Sequence, residues 1–188
     1  TSYNTAMGHQ AGNQVTTGTT NTLIGGLAGD AITTGNRNTA LGQSALGATT
    51  TANDTVGIGH NALALNTTGA NNTSVGTYSL ATNSTGANNT AVGYSAGTAV
   101  TTGIRNTLIG SLAGDALTDA DFNVALGFGA LSTDTLGSKS VAIGSEALHS
   151  QNFTSATNAF NTAVGANAGY AVTTGIDNTF VGGLAGDA

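Results

Sequence analysis

Along this chain an apolar residue followed by Gly recurs at a fixed interval. The Gly stands at positions 8, 25, 42, 59, 76, 93, 110, 127 and 144, each 17 residues after the last. Gly165 follows after 21 residues and Gly182 after a further 17. Residues 1–188 therefore read as a single array of eleven repeats with one four-residue insertion near 149–160. Directly before the Gly come Met7, Ile24, Leu41, Ile58, Val75, Val92, Ile109, Leu126, Ile143, Val164 and Val181. Two residues earlier the position is always Thr or Val. Such spacing predicts a short strand with both side chains on one face. That face is read as inward, with Thr22 and Ile24 lining the interior. The residue between is mostly small (Ala6, Ala40, Gly57, Ser74, Ala91, Ala125, Ala142, Ala163), so its face should be lightly covered or meet a neighbour closely.

The Gly predicts a turn, and a second short strand should carry the Ala found three residues later in ten repeats of eleven. "TTG" at Thr17, Thr34, Thr68, Thr85, Thr102 and Thr174 predicts the turn that closes each repeat. Seventeen residues are too few for a strand plus a proper helix, and Gly at this density penalises helix. The fold class that results is all-β, a parallel β-solenoid of 17-residue rungs whose columns stack on themselves. Asn, four before the Gly in nine rungs of eleven, should form a ladder of stacked amides serving turn backbone groups.

The residue after the Ala reads Gly12, Gly29, Leu46, Leu63, Leu80, Gly97, Gly114, Leu131, Leu148, Gly169, Gly186. Pairs of Gly rungs thus alternate with runs of Leu rungs. The Gly rungs are expected to turn the backbone differently, which predicts unlike angles at Gly114 and Leu131. The Leu residues could supply an apolar face for other chains. A thin coil buries little apolar surface for each residue it orders, which favours association.

Composition narrows the function. Charged residues are 6% and the net charge is −6. Arg37, Arg105 and Lys139 are the only cations; scattered along the chain, they make no basic stripe for nucleic acid. No apolar run is long enough to span a membrane. Without Cys there are no disulfides or thiolate metal sites. Thr1 lies inside the repeat pattern, so the chain is expected to be a piece of a longer fibre.

"GGLAGDA" lacks the Lys-Ser/Thr ending of a phosphate loop, and no helix is predicted after it. It reads as a tight rung turn. Asp30, Asp115 and Asp187 share a column but lie four or five rungs apart, so no metal site is expected. His9, His60, His149 and the single Glu146 suggest no nucleophile and base, hence no enzyme and no cofactor. Thr ladders on a flat solenoid can bind ice, but the Thr before the aliphatic–Gly pair alternates with Val as a core position would. Tyr78, Tyr94, Phe128 and Tyr170 fall at turn-side positions where aromatics could stack on sugars. The insertion around His149–Phe160 should loop out, anchored by Phe153 and Phe160, and is a candidate for specialised contact. The surface-contact candidates are thus Phe153, Phe160, Tyr78, Tyr94 and Tyr170.

"SVAIG" at Ser140–Gly144 resembles the head repeats of trimeric autotransporter adhesins. The longer unit "NTAVGYSAGTAVTTGIR" (Asn89–Arg105) is similar to arrays in phage tail-fibre and related surface proteins. The resemblance covers essentially the whole chain. It implies a left-handed β-roll, three chains about one axis, and attachment of a bacterium or phage to a target surface. The implied partners are further copies of the chain and a host-surface glycan or protein, and the implied location is extracellular, on a cell surface or virion. A structural filament without receptor specificity and an ice-binding solenoid are the alternatives.

Overall fold

Each repeat forms one coil. The structure, a computed structural model, describes residues 2–187. The strands are β1 (Thr5–Met7), β2 (Thr22–Ile24), β3 (Thr39–Leu41), β4 (Val56–Ile58), β5 (Thr73–Val75), β6 (Thr90–Val92) and β7 (Thr107–Ile109). They continue with β8 (Val124–Leu126), β9 (Gly137–Ser138), β10 (Val141–Ile143), β11 (Thr157–Asn158), β12 (Thr162–Val164) and β13 (Thr179–Val181). All pairings are parallel, and no helix occurs among the described residues. Eleven strands stack in sequence order into one sheet, and β9 and β11 pair separately. The chain is a parallel β-solenoid with 17-residue rungs. Register holds across the insertion, where Val141 pairs with Thr162. The extra residues swing out between Gln151 and β11 while the coil beneath continues unbroken.

The expected sense of inside and outside is reversed. The central strand residue is the buried one: Leu23, Ala40, Ala91, Leu108, Ala125, Ala142 and Ala163 have essentially no exposure. Thr22 is exposed and Ile24 half-buried, so both look outward. The Leu column, expected to face other chains, is wholly interior at Leu46, Leu63, Leu80, Leu131 and Leu148. The physical reason is the width of the coil. Opposite walls lie so close that a strand residue pointing in is usually Ala, while a Leu reaching across from the other wall supplies the volume. Period two divides a strand into two faces but does not say which is inside when both are apolar.

No second strand forms at the Ala column. Residues there turn, with positive φ at positions such as Leu27 (59°) and Leu46 (54°). They still bond to the next rung, as in Gly29 N–H to Ala45 O at 2.9 Å and Leu46 N–H to Ala62 O at 3.0 Å. The ladder of hydrogen bonds thus outlasts strand geometry.

Gly and Leu rungs do not differ in backbone at the alternating position: φ is 56° at Gly114 and 55° at Leu131. The expected change of turn is overturned. What alternates is the source of interior volume. Three residues after each Gly stands an aliphatic (Val15, Ile32, Val100, Leu117, Val172), and three after each Leu a polar residue (Thr49, Asn66, Asn83, Asp134, Gln151). Those five polar side chains are fully buried. Gln151 Nε2 donates to Asp134 Oδ2 at 2.6 Å, and Asn161 Nδ2 donates to Gln151 Oε1 at 2.7 Å.

The amide ladder is present. Asn106 Nδ2 donates to Ala120 O at 2.7 Å, and its Oδ1 accepts from the Asn123 backbone N–H at 3.0 Å. The same pair of bonds recurs at Asn21, Asn38 and Asn89. Replacing Asn106 by Ala leaves a buried donor and acceptor unpaired. The expected loss is about 1–3 kcal/mol, to be read from urea unfolding.

Candidate functional site

The outward face of the eleven-stranded sheet is a regular surface that runs through every rung. It carries two columns: Thr or Val three before the rung Gly, and Ile, Val, Leu or Met one before it. None of these residues is charged. Most are half-buried; within the array the aliphatic column is 44% exposed at Leu41 and 42% at Leu126, and on the end rungs 65% at Met7 and 72% at Val181. Register is unbroken over eleven strands, so the side chains repeat at about 4.8 Å from rung to rung.

Two ridges flank this face. The ridge before it stands five residues ahead of the rung Gly, in left-handed backbone. Its residues include Arg37, Asp54, Arg105, Phe122, Lys139, Phe160 and Asp177. Arg37 grips Asp54 with Nε to Oδ1 at 2.6 Å and Nη2 to Oδ2 at 2.7 Å. These bonds hold the Asp54 carboxyl below its ordinary range. The three cations are therefore not scattered: they occupy one column. Aligning the sequence on the rung Gly reveals this, whereas counting charges does not.

The ridge after the face carries aromatics from two adjacent columns. His60 and Tyr78 meet edge to face at 5.2 Å between ring centroids, and Tyr78 and Tyr94 at 6.4 Å. Tyr94 is 56% exposed. Tyr78 and Tyr94 thus form one cluster on consecutive rungs. Tyr170 lies elsewhere, stacked on His149 at 4.9 Å. Phe160 belongs to the cation ridge. Phe153 is 6% exposed, and a Cβ at Gly137 would come within 2.7 Å of its ring. Phe153 is tucked into the coil, which removes it from the contact surface, while Phe160, expected to anchor the insertion with it, is 51% exposed. The repeat pattern could not assign Phe153 to a column, because the insertion breaks the period that sorts positions.

Thr16, Thr33, Thr50, Thr67 and Thr101, each the first Thr of a "TT" pair, form a hydroxyl ladder to the next rung, as in Thr33 Oγ1 to Thr50 O at 3.2 Å and Thr67 Oγ1 to Ser84 O at 2.9 Å. The Thr column of the strands, taken from the sequence as a core position, instead faces outward with the aliphatics.

Asp115 and His149 share a column two rungs apart. Asp115 Oδ1 and His149 Nδ1 are both buried without a hydrogen-bond partner. Burial pushes the Asp115 carboxyl above its ordinary value, and its own backbone N–H and the charge of His149 pull it back only in part. A raised folded-state pKa means that protonation favours the fold. The contribution is present at low pH and lost as pH rises through the folded value. Asp115→Asn is therefore expected to be more stable than the parent at neutral pH. That advantage should vanish as pH falls below the carboxylate range, about pH 4. Urea midpoints measured across that range check it.

The class that fold and surface define is a parallel β-solenoid presenting an uncharged sheet face between two side-chain ridges. Compared with known proteins, the chain matches no family model, no curated protein and no solved structure.

Proposed function

We propose that this chain is a fibre-forming segment: a stiff spacer and attachment surface of an extracellular adhesin or phage tail fibre. In this reading the rungs are left-handed, and three copies pack about one axis through their outward strand faces. The observation that carries it is the aliphatic column from Met7 to Val181, half-buried or exposed over eleven rungs with no charge beside it in the strands. A run of this kind on a sheet face is what an apolar interface between copies needs. Ten steps give a rod of about 48 Å, and such a segment sets distance on a cell surface or virion while its ridges meet a target glycan or protein. No catalytic role is assigned.

The test is the mass of the purified chain by light scattering. A trimer is expected, and Ile58→Lys with Ile109→Lys should yield folded monomers, because each charge would otherwise be buried between chains. A monomeric parent sinks the reading. Binding of the trimer to cells or glycans separates an adhesive fibre from a filament without receptor specificity.

One observation favours a second reading. The outward Thr column, regular beside the aliphatics, is the arrangement an ice-binding solenoid face would need. It requires that the same face be free. Thermal hysteresis that is lost in Thr90→Lys with Thr107→Lys, in a monomeric chain, would support it; a trimer that buries this face excludes it.

A further inference from the structure

We infer that the ridge of Arg105, Phe122, Lys139 and Phe160 binds a carboxylated saccharide. The four residues occupy consecutive rungs in one column and have nearly the same backbone, with φ of 57°, 58°, 64° and 50°. Their side chains therefore leave the coil in parallel, at about 4.8 Å intervals. Arg105 Cζ lies 5.2 Å from the centroid of the Phe122 ring, and Lys139 Nζ lies 5.1 Å from that of Phe160. The rings are 43% and 51% exposed. Charge and ring thus alternate along one open edge.

Nothing in the coil requires this arrangement. The same column pairs Arg37 with Asp54 on the next rung, which shows how the fold neutralises a cation there. Arg105 and Lys139 have no ion pair among the described residues. Their next-rung partners are phenylalanines, which shield a cation only partly and leave its outer donors free. Two unpaired cations and two half-exposed rings on one ridge suit a ligand that is both anionic and apolar-faced.

The spacing selects among such ligands. The cations are two rungs, about 10 Å, apart, with a ring between them. An extended polysaccharide carrying a carboxylate on every second sugar offers charges at a similar interval and presents the C–H face of a pyranose to the ring. Arg105 and Lys139 would each take a carboxylate, Arg105 by its two-pronged fork, while the sugar between lies against Phe122. A denser polyanion fits less well. Asp121 adjoins Phe122 in sequence, Asp119 lies on the preceding turn and Asp177 follows Phe160 in the column, and the chain as a whole carries −6. Closely spaced phosphates would meet this repulsion with only two cations to offset it.

The inference deepens the attachment reading and rests on it. The experiment is calorimetric titration of the assembled chain with a hyaluronan octasaccharide, with its methyl ester, and with single-stranded DNA; light scattering on the same samples reports assembly separately. The octasaccharide should bind the parent and Arg37→Ala alike. Binding should weaken by about tenfold or more, a difference of about 1.4 kcal/mol, for the ester, for Arg105→Ala with Lys139→Ala, and for Phe122→Ala. All these side chains are exposed, and circular dichroism checks that the variants keep the fold. Failure of the parent to bind, equal binding of the ester, indifference to the Arg105 and Lys139 changes or to Phe122→Ala, or tighter binding of DNA would each overturn the inference. Loss of binding with the trimer intact sinks the ridge alone; a monomer sinks the fibre.

Discussion

Gly93→Ala is expected to cost more than about 4 kcal/mol, the range reserved for changes that break a structural requirement outright. Gly93 has φ of 142°, which side chains other than hydrogen rarely adopt. A Cβ there would sit 2.5 Å from the Gly110 carbonyl oxygen and 2.6 Å from its carbon. Gly110 is the same residue one rung on, and it stands in the same relation to Gly127. The clash cannot be relieved by a side chain moving aside, because the obstacle is backbone and the next rung is held by its own neighbour. Two internal comparisons sharpen the test. Gly26→Ala, one residue after an equivalent Gly, meets no atom within 4 Å and should stay within about 0.5 kcal/mol of the parent. Gly103→Ala should fall between, since Ala52 and Ala120 already occupy that column. Urea unfolding of the three variants gives the ranking, and a Gly93→Ala no worse than Gly103→Ala would refute it.

This Gly column also explains why so much of the fold could be read. A position that admits one residue type in every rung fixes the period without help from tertiary structure. The Asn column is nearly as strict, because its side chain both donates to a carbonyl and accepts from a backbone N–H of the next rung. Backbone demands of this kind leave one answer per position. The interior does not. Its volume is shared among four positions, the strand centre, the Ala column, the Gly/Leu site after it and the residue three further on, so no single column looks like a core. Thr22 and Ile24 read as the inward face because two apolar or β-branched residues spaced by two mark one side of a strand, whereas in so thin a coil that pair goes outside. The ridge of Arg105 and Lys139 was present in the alignment, but its meaning depends on parallel projection from left-handed backbone, which appears only with φ in hand. For the surface aromatics, column membership separated Phe160 from Tyr94 but could not reveal that Phe153 tucks beneath the insertion.

The shared interior makes a second large effect predictable, and with it the meaning of the recurring NTLIG-type rungs. Gly rungs come in pairs, and the second of each pair has a large residue at its strand centre: Leu23, Leu108 or Phe180. That one side chain covers both glycines. A Cβ at Gly97 would lie 2.6 Å from Leu108 Cδ1, and a Cβ at Gly114 2.7 Å from Leu108 Cδ2. Leu23 stands in the same way to Gly12 and Gly29, each at 2.7 Å. Leu108 is fully buried, so Leu108→Ala should cost about 3–5 kcal/mol for lost transfer and the cavity left over two rungs. Gly114→Leu alone should cost about 1–3 kcal/mol by overpacking against Leu108. Together the changes should cost less than their sum by at least about 2 kcal/mol, because the new Leu enters the space that Leu108 vacates. The backbone offers no obstacle, since Leu131 holds the same φ that Gly114 has. Adding Leu117→Asn would complete the conversion of a Gly rung into a Leu rung. A double-mutant cycle by urea unfolding measures the coupling. A value near zero would mean that each rung packs on its own, and the pairing of Gly rungs would then need a cause outside the core of the coil.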